Sequence, residues 1–190
     1  MSDKTNTEYG IAVKKAKVIF KKKMQDYGAS WRMLRISSLT DQIFIKAQRI
    51  RSIYQKGISL VGEGIEPEFI GILNYSLIAL IQLELGELEI PENPKDIEQF
   101  SIDKAFELYN KYAKLAHELM EEKNHDYDEA WRQMRIGSFT DLILTKLMRI
   151  KEIEDNEGET LISEGIDANY FDIINYAIFA LIKLDEKVNC

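Results

Sequence analysis

Residues 26–53 recur at 126–153 with 14 identities in 28 positions. A chain written twice from one pattern is constrained to fold as two alike units, and its period here, about 85 to 90 residues, is too long for a solenoid repeat. Asp26-Tyr27-Gly28-Ala29-Ser30-Trp31-Arg32 returns as Asp126-Tyr127-Asp128-Glu129-Ala130-Trp131-Arg132. Arg35/Arg135, Thr40-Asp41/Thr140-Asp141, Lys46/Lys146 and Arg49/Arg149 follow in register. After a one-residue insertion, Glu63-Gly64-Ile65 and Asn74-Tyr75 match Glu164-Gly165-Ile166 and Asn175-Tyr176. Twofold pairs are the commonest assemblies, so two copies in one chain read as a fused, pseudo-twofold dimer. The boundaries expected are a first repeat over 1–85, a linker over 86–100 and a second repeat over 101–190, packed as one globular unit. Gly86, Pro91 and Pro94 break the apolar period in that linker. Whether the fused pair assembles further into a homo-oligomer is left open.

Within each copy the apolar rhythm has a helical period. It predicts helices over Ile11–Met24 and Ala105–Glu122, over Leu39–Tyr54 and Phe139–Glu154, and near Glu66–Leu85 and Asp167–Glu186. A short segment surrounds each tryptophan. Thr40/Asp41 and Thr140/Asp141 read as helix-start caps, Ser101 with Asp103 as another, and Pro67 suits a first helical turn. No alternating run competes. The fold class is all-α: a helical bundle of two tandem pseudo-twofold-related repeats, each with three long helices and one short segment.

Composition excludes more than it identifies. A net charge of -7 and a pI near 5.0 argue against direct nucleic-acid binding. No apolar run approaches the roughly 18 to 20 residues of a membrane span, and the polar Met1–Gly10 stretch shows no secretory signal, so a cytoplasmic location is expected. The single cysteine, Cys190, excludes a disulfide framework. The total charge hides an asymmetry: residues 1–95 balance to +3 and residues 96–190 to -10.

Two features carry chemistry. Ile43, Lys46, Ile50 and Ile53 fall on one helical face of about 80° with Arg49 beside them, as do Ile143, Lys146, Ile150, Ile153 and Arg149. A lysine in an isoleucine stripe needs an anionic ligand or a buried carboxylate, unless it snorkels past the stripe to water. The second feature is Glu164, Asp167 and Asp172 within nine residues, a density that suits Mg²⁺. The helix dipole also favours acids in a first turn, which covers Glu164 and Asp167 but not Asp172. The first copy has Gly71 where the second has Asp172, so the second is expected to hold the complete site. Tyr27/Trp31 and Tyr127/Trp131 can stack on a base or belong to the core. His117 and His125 lack a helical metal-pair spacing, and no phosphate-cradling glycine loop or nucleophile elbow is present.

Asp-Tyr-Gly-x-x-Trp, the following Arg, Lys-x-x-Arg-Ile, Glu-Gly-Ile-Asp and Asp-Ile-Ile-Asn-Tyr-Ala-Ile together resemble the nucleotide-modification-associated domain, the first family of that name. The helical pattern is similar in turn to the MazG-type all-α nucleoside triphosphate pyrophosphohydrolases, whose Glu-x-x-Glu and Glu-x-x-Asp motifs match Glu118–Glu121 and Glu164–Asp167. The resemblance implies a Mg²⁺-dependent protein binding a small-molecule nucleotide, of pyrophosphohydrolase type. By motif, Glu164, Asp167 and Asp172 would ligate Mg²⁺. Lys146 and Arg149 would face the phosphates as catalytic cations. Asp126, Tyr127, Trp131 and Arg135, with Lys46 and Arg49 of the first copy, would bind the nucleotide. The alternative is a non-catalytic helical module that binds a nucleotide or a partner.

Overall fold

The repeated rhythm folds into the same series of elements twice. The computed structural model describes residues 3–57, 64–86, 102–156 and 165–188. The first unit comprises α1 (Asp3–Tyr27), a 3-10 turn at Ser30–Met33, α2 (Ile36–Lys56) and α3 (Glu66–Leu85). The second comprises α4 (Ile102–Tyr127), a 3-10 turn at Ala130–Gln133, α5 (Ile136–Asp155) and α6 (Ile166–Val188). No strand occurs among the described residues. Of the expected linker only Gly86 is described, where it ends α3, and Ser101 also lies outside the described residues.

The ends of the helices differ from the sequence reading for local reasons. α2 and α5 start one turn early, because extended Arg35 and Arg135 precede them as N-caps without a side-chain bond. Thr40 is therefore inside α2, its hydroxyl 3.1 Å from the Ile36 carbonyl, and is not a cap. α1 and α4 both stop at a left-handed residue, Gly28 in one copy and Asp128 in the other, whose amides bond back to Met24 and Asn124. Glycine adopts that conformation freely and aspartate tolerates it, so Asp128 has a backbone role.

The last helix of each unit forms the centre. α3 is apolar on nearly all sides, with buried residues around its whole circumference from Glu68 to Gln82. By length and composition it could cross a membrane, contrary to the sequence expectation, but 72% of that window is buried inside the protein. A helix apolar all round is the core helix of a larger body. α3 and α6 pack together, α2 and α5 flank them, and one apolar core includes residues of both units.

A crossed set of buried hydrogen bonds joins the halves. Tyr9 of α1 donates to Asn175 Oδ1 of α6 at 2.8 Å, and Tyr109 of α4 donates to Asn74 Oδ1 of α3 at 2.9 Å. Each asparagine then donates to the first helix of its own unit: Asn74 to the Ala16 carbonyl at 3.0 Å and Asn175 to the Ala116 carbonyl at 3.1 Å. Every member has its counterpart in the other copy. Burial pushes the Tyr9 and Tyr109 hydroxyls well above their ordinary values, so both remain donors.

Where α2 meets α5 the copies have diverged. Thr40 donates to Glu154 Oε1 at 2.7 Å, and the Tyr170 hydroxyl lies 2.7 Å from the same Thr40 oxygen. In the pseudo-equivalent place Tyr54 replaces Glu154 and Phe69 replaces Tyr170. There the buried Thr140 hydroxyl has no partner among the described residues.

Two outcomes are expected. Tyr9→Phe leaves Asn175 Oδ1 buried without its donor and should lower unfolding free energy by about 1–3 kcal/mol. The exposed Tyr27→Phe should change it by less than about 0.5 kcal/mol. Urea unfolding measures both. Burial also raises the Glu154 carboxyl above the ordinary 4.5, with the Thr40 hydroxyl opposing it. A carboxyl raised in the folded state contributes stability that is fully present at low pH and lost as pH rises through the folded value. Glu154→Gln, which keeps an acceptor for Thr40, should therefore match or exceed wild-type stability at neutral pH and lose that advantage below 4.5. Urea midpoints measured across that range check the sign.

Candidate functional site

The isoleucine stripe determines where the lysine goes. Ile43 and Ile50 are fully buried, and Lys46 leaves the same face of α2 toward α3. There its Nζ lies 3.3 Å from Glu68 Oε2, while Arg49, less than one turn further on, holds Glu68 Oε1. Glu68 is buried, and an unpaired carboxylate at that depth would cost several kcal/mol, so the two cations account for its placement. Of the readings open for Lys46, a buried carboxylate is the one realised.

The second copy meets the same need from a different turn of the helix. Lys146 Nζ lies 2.7 Å from Asp172 Oδ2, and Lys123 Nζ of α4 lies 2.5 Å from Asp172 Oδ1. By the duplication Glu68 corresponds to Asn169, and Gly71 to Asp172. The carboxylate stands one helical turn apart in the two copies, so the first copy also holds one against its lysine. Asn169 donates to the Gly165 carbonyl at 2.8 Å, and Arg149 pairs with exposed Glu152 at 3.0 Å.

A cleft lies beside the Lys46–Glu68 pair in the first copy. A Cβ on Gly71 would lie 2.6 Å from Lys46 Cε and 2.7 Å from Cδ, so the lysine stem crosses α3 where a side chain would stand. The cleft, of about 340 Å³, is lined among others by Lys23, Tyr27, Trp31, Lys46, Asn74 and Tyr75. Lys46 keeps 23% of its side-chain surface accessible and lies 6.0 Å from the Tyr75 ring centroid. It therefore borders the cleft while it pairs with Glu68. Lys23 is exposed and forms no ion pair with a described residue.

The remaining sequence-derived site residues are dispersed. Tyr127 is exposed at the end of α4 beside Asp126, whose carboxylate lies 3.2 Å from exposed His125. Arg135 is exposed at the start of α5. Trp131 belongs to the core instead: it is 6% exposed and stacks on Phe179 at 4.2 Å with the rings nearly parallel. Glu118 pairs with Lys114 at 3.3 Å, and Glu121 accepts from Asn6.

Of the three acids expected to share Mg²⁺, the two that are described, Asp167 and Asp172, are not brought together. Asp172 is held by two ammonium groups, whereas Asp167 lines a groove between the units with Glu84, Lys111 and Tyr112. Five residues of helix separate the two aspartates by roughly 140° around the axis, which sends them to different neighbours. Glu164 lies outside the described residues. Among the described residues no group of three or more His, Cys, Asp or Glu side chains could hold a metal. Asp167 and Asp172 by themselves do not assemble a Mg²⁺ site.

Three residues complete the arrangement beyond those that the motifs single out. Lys23 and Lys123 lie three positions before the repeated Asp-Tyr pair and match each other, so the repeat itself is their signal. Glu68 left no such signal, because its counterpart is Asn169.

No curated protein and no solved structure matches the chain. One family does match, twice, over residues 23–83 and 123–184. The two segments begin at Lys23 and Lys123 and contain both lysine–carboxylate arrangements. This match bears out the first of the two resemblances and does not extend to the MazG-type enzymes. The chain belongs to the family described as nucleotide modification associated domain 1, and carries that domain in two copies.

Proposed function

We propose that the protein is a nucleotide-binding helical module whose binding site is the first-unit cleft. The observation that carries this reading is the pairing, around one cavity, of two lysines with aromatic side chains: Lys23 and Lys46 beside Tyr27 and Tyr75, with the buried Trp31 as part of the wall. A nucleotide presents those two chemistries, an anionic phosphate and a flat apolar base. An ammonium group in contact with phosphate contributes about 1.5–3 kcal/mol, and a base stacked on an aromatic ring about 1–3 kcal/mol. The volume lies at the lower end of the range for small-molecule sites, about 300–1,000 Å³. The description of the family, which links this domain to nucleotide modification, agrees in substrate class.

The reading is one of binding and does not include hydrolysis. Phosphohydrolase chemistry of the metal-dependent kind needs carboxylates free to hold Mg²⁺, and Asp172 is engaged by Lys123 and Lys146. Magnesium enters this reading as the counterion that a polyphosphate brings with it.

Isothermal titration calorimetry with nucleoside mono-, di- and triphosphates, with and without Mg²⁺, tests it. Lys23→Ala and Lys46→Met are each expected to weaken binding roughly ten- to hundredfold. Arg49 still pairs with Glu68 when Lys46 is replaced, so the helix pairing should persist and far-UV circular dichroism should be unchanged. Lys146→Met should leave affinity within about twofold. Absence of binding to every nucleotide, or affinities indifferent to both first-unit lysines, overturns the reading. Mg²⁺-dependent pyrophosphate release that is abolished by Asp172→Asn would replace it with the hydrolase.

A further inference from the structure

The two copies solve one electrostatic problem in two ways, and the comparison shows what the first-unit lysines are arranged to hold. In the second unit Lys123 from α4 and Lys146 from α5 each contact a different oxygen of the Asp172 carboxylate, at 2.5 Å and 2.7 Å. Asp172 is 6% exposed, so this anion lies beneath the surface between three helices. The same three helices of the first unit carry Lys23, Lys46 and, at the Asp172 position, Gly71. Both lysines line the cleft and no carboxylate projects from position 71. Glu68 stands one turn toward the start of α3 and is shared with Arg49, and the Lys46 stem itself crosses the place that a side chain at 71 would take.

We propose that Asp172 is a built-in ligand: in the second unit its carboxylate takes the position that, in the first, receives a single phosphoryl group of the bound nucleotide. This rests on the nucleotide reading of the first-unit cleft and specifies it further. One phosphoryl group is straddled by Lys23 and Lys46, each taking a different oxygen, as the second-unit lysines do with the carboxylate. A nucleoside monophosphate thus suffices for the cation pair. The protein binds one equivalent per chain, since its second seat is occupied from within. Residues 71 and 172 decide which seat is open.

The experiment exchanges them. Calorimetry with a panel of nucleoside 5′-monophosphates, and with inorganic phosphate as competitor, should give one site in the wild-type chain, with phosphate competing. Gly71→Asp should weaken binding at least tenfold, because the new carboxylate takes the two lysines as Asp172 does. Only the flexible end of Lys46 must move to admit it. Asp172→Gly should raise the number of phosphate-binding equivalents from one to two. If Asp172→Gly does not fold, Gly71→Asp decides alone. A wild-type chain that binds one monophosphate, together with unchanged affinity in Gly71→Asp, overturns the built-in ligand while leaving the nucleotide reading intact. A wild-type chain that binds none of the panel overturns the nucleotide reading itself.

Discussion

The exchange of two hydrogen bonds between the units, Tyr9 to Asn175 and Tyr109 to Asn74, is the constraint on which the rest of the structure depends. Both asparagines lie on the central helices, in a core where an unpaired amide would cost about 1–3 kcal/mol. Each finds one partner in its own unit and the other in the opposite unit. Neither unit alone can satisfy its asparagine, so the two must associate, and in one register. Apolar packing between α3 and α6 is not directional, whereas these bonds are.

With α3 and α6 held at the centre, the first two helices of each unit can only pack around them. That places the lysine of each isoleucine stripe against the last helix of its own unit. The resulting pairs show how a duplicated sequence diverges under a physical requirement. A lysine on a mostly buried face needs an anion nearby, and a helix offers it at positions three or four residues apart. The first copy places the anion at Glu68 and adds Arg49 to it; the second places it at Asp172 and adds Lys123. The requirement is the same in both copies, but the position is not. With the carboxylate at 68 the Lys46 stem crosses α3 over Gly71, whereas in the second copy the Asp172 side chain stands at the matching position.

Much of this was legible in residue order. The duplication, the three helices and one turn per copy, the isoleucine stripes and the need of Lys46 and Lys146 for an anion follow from period and chemistry alone. The early starts of α2 and α5 were less visible, since Arg35 and Arg135 have no capping side chain, and Thr40 with Asp41 offered a more conventional start. The acidic run before and within α6 suggested one metal site because its members are near in sequence. Around a helix axis Asp167 and Asp172 face different ways, and that geometry sends one to the groove between units and the other to the lysines.

The sequence by itself determined the kind of structure, two copies of an all-α unit, and the residue types that a site in it must use. Those are properties of local periodicity and of charge buried on one helical face, and both can be counted along a chain. Only the tertiary structure decided which carboxylate meets which lysine, that Trp131 is core, and that the lysine-lined cleft lies beside Gly71 in the first copy. These outcomes depend on how far apart side chains from different helices come to lie. A shift of one turn along α3 moves a charge by about 5.4 Å, beyond the reach of a hydrogen bond. Residue order records only that each helix carries carboxylates within its first two turns.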